Sequence, residues 1–378
     1  MLKIKGRASR RFVPVIGEIT FKERAFYNRS QAIIVTPKLG SNALGYKGCI
    51  TTGAKGYFFH PDHVYAVTSV EQLHNGDIVC LDSDGSISVL WENESHQNVL
   101  FLTEACNCRC IMCPQPPRPH DPILIQQAHN VLDLLQNKPI KDICLTGGEP
   151  TLLGKDFIHI LDRCVTEHPK AIISVLTNGK LFSNHEFTSK IAAVASKNVI
   201  FCVSLHSEVD TIHDALVGEK GSYIATQQGI YNLATQGCHI EIRHVITRLN
   251  YTRLLSFAEH MYGYFPFCDH YALMGLELCG YAETNQERIS INPNEYSLQL
   301  HDAVSYFHRR GLPISVYNVP LCMCTKAVKP FARRSISSWK NFYPPQCTPC
   351  DMKDSCAGFF STSISLPLEH IQPLIKEE

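Results

Sequence analysis

The sequence predicts an α/β fold: a partial (β/α)6, TIM-like barrel with a small β-rich N-terminal module and a Cys-rich C-terminal extension. Three observations support this prediction. Strand-like and helix-length segments alternate from residue 98 to 275, short β-rich runs fill residues 1–95, and the regularity ends after about residue 280. Alternating strands and helices are typical of a parallel sheet built from βαβ units. We therefore predict three parts: 1–95, 96–280 and 281–378.

The barrel prediction depends on six strand-like runs separated by five helix-length segments. The strand-like runs are Val99–Leu102, Ile143–Thr146, Ile172–Thr177, Val199–Leu205, His239–Thr247 and His270–Leu273. The helix-length segments are Pro122–Asn137, Lys155–Glu167, His185–Ser196, Ser222–Gln236 and Thr252–Tyr262. Gly237 follows the fourth of these helices, where a left-handed residue commonly ends a helix. In such barrels, function is expected at the carboxyl ends of the strands.

The flanking parts carry weaker patterns. Ala32–Thr36 is β-rich, and Ile78–Leu81 and Ile87–Trp91 flank a turn in which Gly85 can adopt a positive φ. The N-terminal module either packs on the main domain or closes a barrel edge, or else it captures a substrate peptide on an exposed strand edge. After the barrel, a helix over Asn294–Arg310 leads to the strand-like Ile314–Tyr317.

Composition limits the classes of partner and the compartment. The 378 residues are 44% hydrophobic and 19% charged, which is typical of a globular protein. Lys+Arg and Asp+Glu are both 35, so no overall field favours nucleic acid or a membrane surface. No apolar run is long enough to span a bilayer, and no secretory signal is evident at the N-terminus. We expect a cytoplasmic protein, in which the 17 cysteines serve metal binding or catalysis more often than disulfides.

The most informative segment is Thr103–Pro114, TEACNCRCIMCP, directly after the first strand of the barrel. It places Cys106, Cys110 and Cys113 in a Cys-x₃-Cys-x₂-Cys spacing, so three thiolates can face one point. Iron–sulfur clusters are held by Cys thiolates at short spacings, and a cube held by three has one iron open to another ligand. A zinc site with three thiolates is the alternative. Cys108 does not fit the spacing, and is either a spare side chain or a substitute ligand.

A second motif, Leu145–Pro150, ends the second strand with the sequence LTGGEP. Gly147 and Gly148 allow the backbone to approach a ligand closely, and Glu149 offers an acceptor for an ammonium group. Taken alone, the motif is equally well explained as an ordinary glycine turn into a helix. Its position one strand after the cysteine loop favours a ligand-binding role over an ordinary turn.

Together these two motifs resemble those of the radical S-adenosylmethionine (SAM) superfamily. The resemblance implies that Cys106, Cys110 and Cys113 hold a catalytic 4Fe–4S cluster and that Gly147, Gly148, Glu149 and Pro150 bind the amino group of SAM. By the same resemblance, Thr177, Asn178 and Ser204 at later strand ends meet the ribose and carboxylate of SAM. Arg243 either pairs with that carboxylate or is a charge partner inside the barrel. His206 and His244 are expected to be wall or core histidines.

A third group of cysteines, Cys347, Cys350 and Cys356, lies near the C-terminus with the spacing Cys-x₂-Cys-x₅-Cys. It resembles the SPASM and twitch extensions, which carry auxiliary 4Fe–4S clusters. The family pattern has a further cysteine where Phe360 stands here. The resemblance therefore implies one auxiliary cluster whose fourth ligand is Cys322 or Cys324. A zinc knuckle is the alternative, because four thiolates suit zinc equally well.

The phrase CNCRCIMCPQPP and the order of the parts resemble the His-Xaa-Ser system radical SAM maturases of the HxsC type. The resemblance implies reductive cleavage of SAM to a 5′-deoxyadenosyl radical that modifies a ribosomally made precursor peptide. It further implies a flavodoxin- or ferredoxin-like electron donor and a second maturase as partners.

Two other functions remain open on the sequence alone. One is a radical SAM enzyme that acts on a small molecule or on a protein residue. The other is a non-catalytic iron–sulfur or zinc protein that serves as a scaffold or redox partner. Binding and cleavage of SAM separate the second from an enzyme, because a scaffold would do neither.

Overall fold

The computed structural model describes residues 2–37, 43–54, 62–95, 98–337, 340–363 and 371–375. Its first eight strands form one mixed sheet. These are β1 Lys3–Lys5, β2 Arg7–Ala8, β3 Val15–Thr20, β4 Ala32–Thr36, β5 Gly48–Thr51, β6 His63–Tyr65, β7 Ile78–Leu81 and β8 Ser86–Trp91. Their order in the sheet is β1-β8-β7-β3-β4-β5-β6-β2. The expected hairpin is present: β7 and β8 pair antiparallel, and Gly85 between them has a φ of 83°.

This sheet closes on itself through the first strands of the chain. β1 pairs with β8 at one end of the order, and β2, only one residue later, pairs with β6 at the other end. Gly6 lies between β1 and β2, where there is no room for a side chain, since an added Cβ would lie 2.7 Å from Val64 Cγ1. The interior is apolar and includes Ile19, Ile33, Ile50 and Leu81. The two interpretations of the N-terminal module, packing on the main domain and capture of a substrate peptide, both stay predictions.

The second sheet contains the next eight strands, in strictly sequential order from β16 to β9. These strands are β9 Val99–Phe101, β10 Asp142–Thr146, β11 Ile172–Thr177, β12 Val199–Ser204, β13 His239–Val245, β14 His270–Met274, β15 Ile314–Tyr317 and β16 Ala332–Arg333. Neighbouring strands from β12 to β16 run parallel. Sequential parallel strands with intervening helices are the arrangement of a partial TIM-like barrel, so the predicted fold class is confirmed.

The helices agree with the predicted segments to within a few residues at each end. They are α1 Ile123–Leu135, α2 Lys155–Glu167, α3 His185–Val194, α4 Asp210–Val217, α5 Ser222–Thr235, α6 Leu254–Tyr264, α7 Tyr281–Thr284, α8 Gln286–Ile289 and α9 Ser297–Arg309. Gly237 has the expected positive φ, 72°, and its N–H donates to the Ala234 carbonyl at 2.9 Å. α4, α7 and α8 are additions, because their eight, four and four residues are shorter than the predicted helix-length segments.

The barrel sheet also extends further along the chain than six strands. β15 pairs with β14 and β16 pairs with β15, so residues beyond 280 contribute two more strands to the sheet. The six-strand count is corrected in this respect, because α9 and β15 form a further helix–strand unit. A short antiparallel pair follows, β17 Asn341–Phe342 with β18 Phe359–Phe360.

The chain falls into two compact units. One comprises Met1–Leu102, Pro122–Leu145 and Asp162–Ile173, and the other comprises Thr103–Asp121, Thr146–Leu161 and Ser174–Glu378. This division differs from the segments 1–95, 96–280 and 281–378, which stay a prediction of domain organisation. No helix in the described part of the chain is both long and apolar enough to cross a bilayer.

Candidate metal and cofactor site

The predicted cysteine loop follows β9 and leaves three of its thiols half-buried. Cys106, Cys110 and Cys113 have intermediate exposure, whereas Cys108 is buried. The backbone N–H of Cys108 donates to Cys106 Sγ at 3.4 Å, and the Cys113 thiol donates to the Gln115 carbonyl at 3.0 Å. The three residues of the predicted spacing are thus more exposed than Cys108.

The glycines of the second motif pack against this loop. Gly148 N–H donates to the Thr103 carbonyl at 2.7 Å, and Glu149 N–H donates to the Ala105 carbonyl at 2.8 Å. A Cβ on Gly147 would lie 2.5 Å from the Thr103 oxygen, and a Cβ on Gly148 would clash with the Ala105 oxygen. Only glycine fits at either position. The two glycines were expected to let the backbone approach a ligand closely. In the structure they let it approach the cysteine loop.

Glu149 is fully buried and connects two strand ends. Its carboxylate accepts hydrogen bonds from Thr151 N–H at 3.1 Å, Thr151 Oγ1 at 2.6 Å, Thr177 Oγ1 at 2.9 Å and Asn178 N–H at 2.7 Å. Burial raises the pKa of the Glu149 carboxyl, and these hydrogen bonds to the charged form oppose that rise. The side chain thus fixes the ends of β10 and β11, and a role toward the SAM ammonium stays a prediction.

The end of β11 also contacts the cysteine loop. Asn178 Nδ2 donates to Asn107 Oδ1 at 2.7 Å and lies 3.6 Å from Cys108 Sγ. Lys180 Nζ donates to the Asn107 carbonyl at 3.2 Å and lies 3.8 Å from Cys108 Sγ. Sequence reasoning missed Lys180, although its place directly after Thr177-Asn178-Gly179 at a strand end was a signal.

Two further segments anchor the loop. Arg109 N–H and Ile111 N–H donate to the Val217 and Leu216 carbonyls at the end of α4, at 3.0 and 2.9 Å. Tyr281 N–H donates to the Cys113 carbonyl at 2.8 Å. The loop is therefore fixed by backbone contacts along its length, as expected of a rigid ligand-holding segment.

The thiol chemistry of the loop is set by burial and by neighbouring groups. A hydrogen bond from the Cys108 thiol lowers the pKa of Cys106. Burial raises the pKa of Cys110 to about 12 and also raises that of Cys113. Within the described residues, no three His, Cys, Asp or Glu side chains are arranged to hold one metal ion. The thiolates of an iron–sulfur cube bind different irons, so a cluster requires no such single-ion group.

Arg243 and Ser204 lie side by side in register on β13 and β12. Arg243 Nε donates to Glu241 Oε1 at 2.5 Å, and Glu241 Oε2 is 2.8 Å from His270 Nδ1. The pKa of Glu241 falls to about 2 because hydrogen bonds and charges from His270 and Arg243 outweigh its burial. Glu241 is therefore a charge partner of Arg243. The SAM contacts of Ser204 and Arg243 stay predictions.

His206 and His244 are buried, as expected of wall or core histidines. The His244 ring packs on Phe257 of α6, with 4.3 Å between ring centroids. The His206 ring stacks on His213 at 5.8 Å, and His206 N–H donates to His213 Nδ1 at 3.1 Å. Neither sequence-predicted histidine lies in contact with the cysteine loop through any described hydrogen bond.

Four of the five late cysteines surround one small cavity. Cys322, Cys347, Cys350 and Cys356 line it, whereas Cys324 is buried outside it. Leu321 N–H and Gly358 N–H donate to Cys356 Sγ at 3.3 and 3.4 Å. Burial raises the pKa of Cys322 to about 11 and that of Cys324 to about 12. The arrangement favours Cys322 over Cys324 as the neighbour of the other three thiols.

A C-terminal segment closes this cavity. Leu374 N–H donates to Cys350 Sγ at 3.4 Å, and the Leu374 carbonyl accepts from Asp351 N–H at 3.0 Å. Ile371 is buried, and Ile371–Leu374 contribute to the cavity lining. Backbone N–H groups aimed at sulfur stabilise thiolates and tune the metal they hold. The four thiols thus share one cavity, and two of them receive backbone hydrogen bonds, although within the described part of the chain they are not arranged around a single metal ion.

Comparison with known proteins finds matches to the part of the chain that contains the cysteine loop and the strand-end motifs. Residues 100–260 match the family model of the radical SAM superfamily. The mycofactocin maturase MftC of Mycolicibacterium smegmatis is 31% identical over 192 residues, which cover 50% of this chain and 43% of the relative. A GTP 3′,8-cyclase of Desulforamulus reducens is 34% identical over 121 residues, which cover 30% of this chain and 36% of the relative. The chain thus spans less than half the length of these curated relatives.

Solved structures align with part of the chain. Streptococcus suis SuiB aligns with a TM-score of 0.48 and 18% identity, over 58% of this chain and 48% of that chain. The structure of anSMEcpe with bound AdoMet and a Kp18Cys peptide aligns with a TM-score of 0.47 and 16% identity, over 58% of this chain and 62% of that chain.

Proposed function

We propose that the protein is a SAM-cleaving peptide maturase of the radical SAM superfamily, whose family model matches residues 100–260. The three half-buried thiols of Cys106, Cys110 and Cys113 would hold a 4Fe–4S cluster with one open iron. When bound, the cluster and SAM supply a 5′-deoxyadenosyl radical that abstracts hydrogen from the substrate. The observation that carries the proposal is the packing of Gly147, Gly148 and Glu149 on this cysteine loop.

The protein's own residues would position the reaction. Backbone contacts from the GGEP motif, α4 and Tyr281 fix the loop, so the thiols are preorganised before the cofactor binds. Glu149 locks the end of β11 to the end of β10, which places Thr177 and Asn178 beside the loop. The groups proposed to meet SAM are therefore held by hydrogen bonds rather than by flexible side chains.

The proposed substrate is a ribosomally made precursor peptide, in a His-Xaa-Ser system that contains a second maturase. Support comes from the sequence CNCRCIMCPQPP and from the similarity to mycofactocin maturases. A flavodoxin- or ferredoxin-like protein would donate the electron. We expect the enzyme in the cytoplasm, where reduced thiols are maintained; no disulfide links any of its 17 cysteines, all of which lie in the described residues.

The late cysteines would hold an auxiliary cluster with Cys322 as the fourth ligand. Cys322 shares the cavity with Cys347, Cys350 and Cys356, which is why we favour it over Cys324. We expect Cys322→Ala to lose the auxiliary iron and Cys324→Ala to keep it, by iron analysis of the anaerobically reconstituted chain. Iron retained by Cys322→Ala and lost by Cys324→Ala would reverse the assignment, and zinc in place of iron would support a knuckle.

A second candidate function is a radical SAM enzyme that acts on a small molecule, which the similarity to a GTP 3′,8-cyclase favours. Reconstitution with candidate precursor peptide, SAM and reductant separates the two, with iron content and peptide mass measured together. A peptide maturase with two cubes would bind about eight irons per chain and change the mass of the peptide. SAM cleavage without any change in peptide mass would instead favour a small-molecule substrate.

A further inference from the structure

Lys180 is a basic side chain in contact with the cysteine loop that no motif accounts for. It begins the 3₁₀ turn Lys180–Ser183 directly after β11. Its side chain is 14% exposed, although lysine side chains usually extend into water. The contacts of its ammonium group explain the burial: Asn107 O lies at 3.2 Å, Cys108 Sγ at 3.8 Å and a Glu219 carboxylate oxygen at 3.9 Å.

The charge of Lys180 lies beside the thiols of the loop. Its ammonium group is 3.8 Å from Cys108 Sγ and 3.2 Å from the Asn107 carbonyl oxygen, and both residues lie between Cys106 and Cys110 in the sequence. The nearby acidic groups differ in accessibility: Glu149 is fully buried, and the Glu219 side chain is 50% exposed. Because Glu219 is solvated and 3.9 Å away, it neutralises Lys180 only in part. Lys180 is therefore a fixed positive charge beside the loop, which Glu219 offsets only in part and which the buried Glu149 opposes at Cys106.

We propose that Lys180 is a positioning residue that fixes Asn107 and Cys108 and also raises the reduction potential of the cluster at Cys106, Cys110 and Cys113. This inference rests on the proposed function, since it assumes a cluster at these thiols. Reduction adds one negative charge to the cluster, so a fixed cation stabilises the reduced form more than the oxidised form. Net charge and hydrogen bonding near the sulfurs are the means by which proteins set cluster potentials.

The two contributions of Lys180 can be separated by substitution. Lys180→Arg keeps the positive charge, and Lys180→Gln keeps a hydrogen-bond donor without the charge. Glu219→Gln removes the partial counter-charge and leaves Lys180 in place. Lys190→Gln is a matched control, because Lys190 pairs with Glu186 on the exposed face of α3, and its side chain is 61% exposed.

The test is a redox titration of the reconstituted holoenzyme. The reduced cluster is measured by its electron paramagnetic resonance signal, which should change when SAM is added. At one fixed potential we expect Lys180→Gln to show about a tenfold lower ratio of reduced to oxidised cluster. Tenfold corresponds to about 59 mV for a one-electron couple. Lys180→Arg and Lys190→Gln should resemble wild type, and Glu219→Gln should shift the ratio in the opposite direction.

Equal ratios in wild type, Lys180→Gln and Glu219→Gln would overturn the role of Lys180 and leave the proposed function intact. If Lys180→Gln fails to bind iron, the ratio in Glu219→Gln decides: an increase supports the charge effect, and no change overturns it. A wild-type protein without a SAM-dependent signal would overturn the proposed function, and this inference with it.

Discussion

Among single residues, Glu149 combines complete burial with four hydrogen bonds to its carboxylate. A carboxylate offers about four acceptor positions, so the surrounding donors use most of its capacity. Sequence comparison alone suggested a ligand for the ammonium group of SAM. The structure adds a second role, because the same carboxylate joins the GGEP turn to the end of β11.

We expect Glu149→Gln to destabilise the fold, since an amide has one acceptor oxygen and would leave buried donors unpaired. Loss of hydrogen bonds to a buried charged group predicts a decrease of about 2 kcal/mol in the free energy of unfolding. Urea unfolding of the apo chain measures it. Glu186→Gln, at a side chain that is 78% exposed, is the control and should change stability little. Equal stability of Glu149→Gln and wild type would contradict the structural role.

The buried histidines predict a dependence of stability on pH. Burial lowers the pKa of His213 to about 4 and that of His244 to about 3. The unfolded chain binds protons near pH 6.5 and the folded chain does not, so stability falls as pH drops from about 7 toward 4. At pH 5, each such histidine lowers the free energy of unfolding by about 2 kcal/mol relative to neutral pH.

His244→Gln tests this dependence through unfolding measured at pH 7 and at pH 5. Between pH 7 and pH 5, the free energy of unfolding should fall by about 2 kcal/mol less in the variant than in wild type. The reason is that the unfolded variant has one protonation site fewer. His185→Gln, at an exposed position, should behave as wild type does. The same loss in His244→Gln and wild type would show that His244 does not contribute.

At the scale of elements, the site is built from strand ends that hold one loop. The GGEP turn after β10, Asn178 and Lys180 after β11, and the end of α4 all contact the segment from Thr103 to Cys113. The cysteines and glycines of this arrangement were identifiable from the sequence, because their spacing is local. The contributions of α4 and Lys180 were not, because they depend on which distant segments the sheet brings together.

We expect Gly148→Ala to disrupt the loop, since the added Cβ would clash with the backbone oxygen of Ala105. Overpacking against backbone costs about 1–3 kcal/mol and should also reduce the iron bound on reconstitution. Gly263→Ala is the matched control: Gly263 lies in α6 with no atom within 4 Å of an added Cβ. It should raise stability by about half a kcal/mol through helix propensity. Normal stability and iron content in Gly148→Ala would refute the close packing.

For the whole molecule, local periodicity predicted the six strands from β9 to β14 and the long helices between them. The ends of each element differ by only a few residues from the predicted segments. Closure of the N-terminal barrel could not be predicted, because β1 and β2 are short, charged stretches, KIK and RA, without a strand pattern. The addition of β15 and β16 to the sheet was missed for a similar reason: pairing between distant strands leaves no trace in local sequence.

The central claim is that Cys106, Cys110 and Cys113 hold a cluster that cleaves SAM. It is tested most directly by measuring 5′-deoxyadenosine formed from SAM and dithionite by the anaerobically reconstituted chain. We predict formation by wild type and by Cys108→Ala, because Cys108 is buried and held by Asn178 and Lys180. We predict none with alanine at Cys106, Cys110 or Cys113. No 5′-deoxyadenosine from iron-loaded wild type, or undiminished formation by the three alanine variants, would contradict the claim.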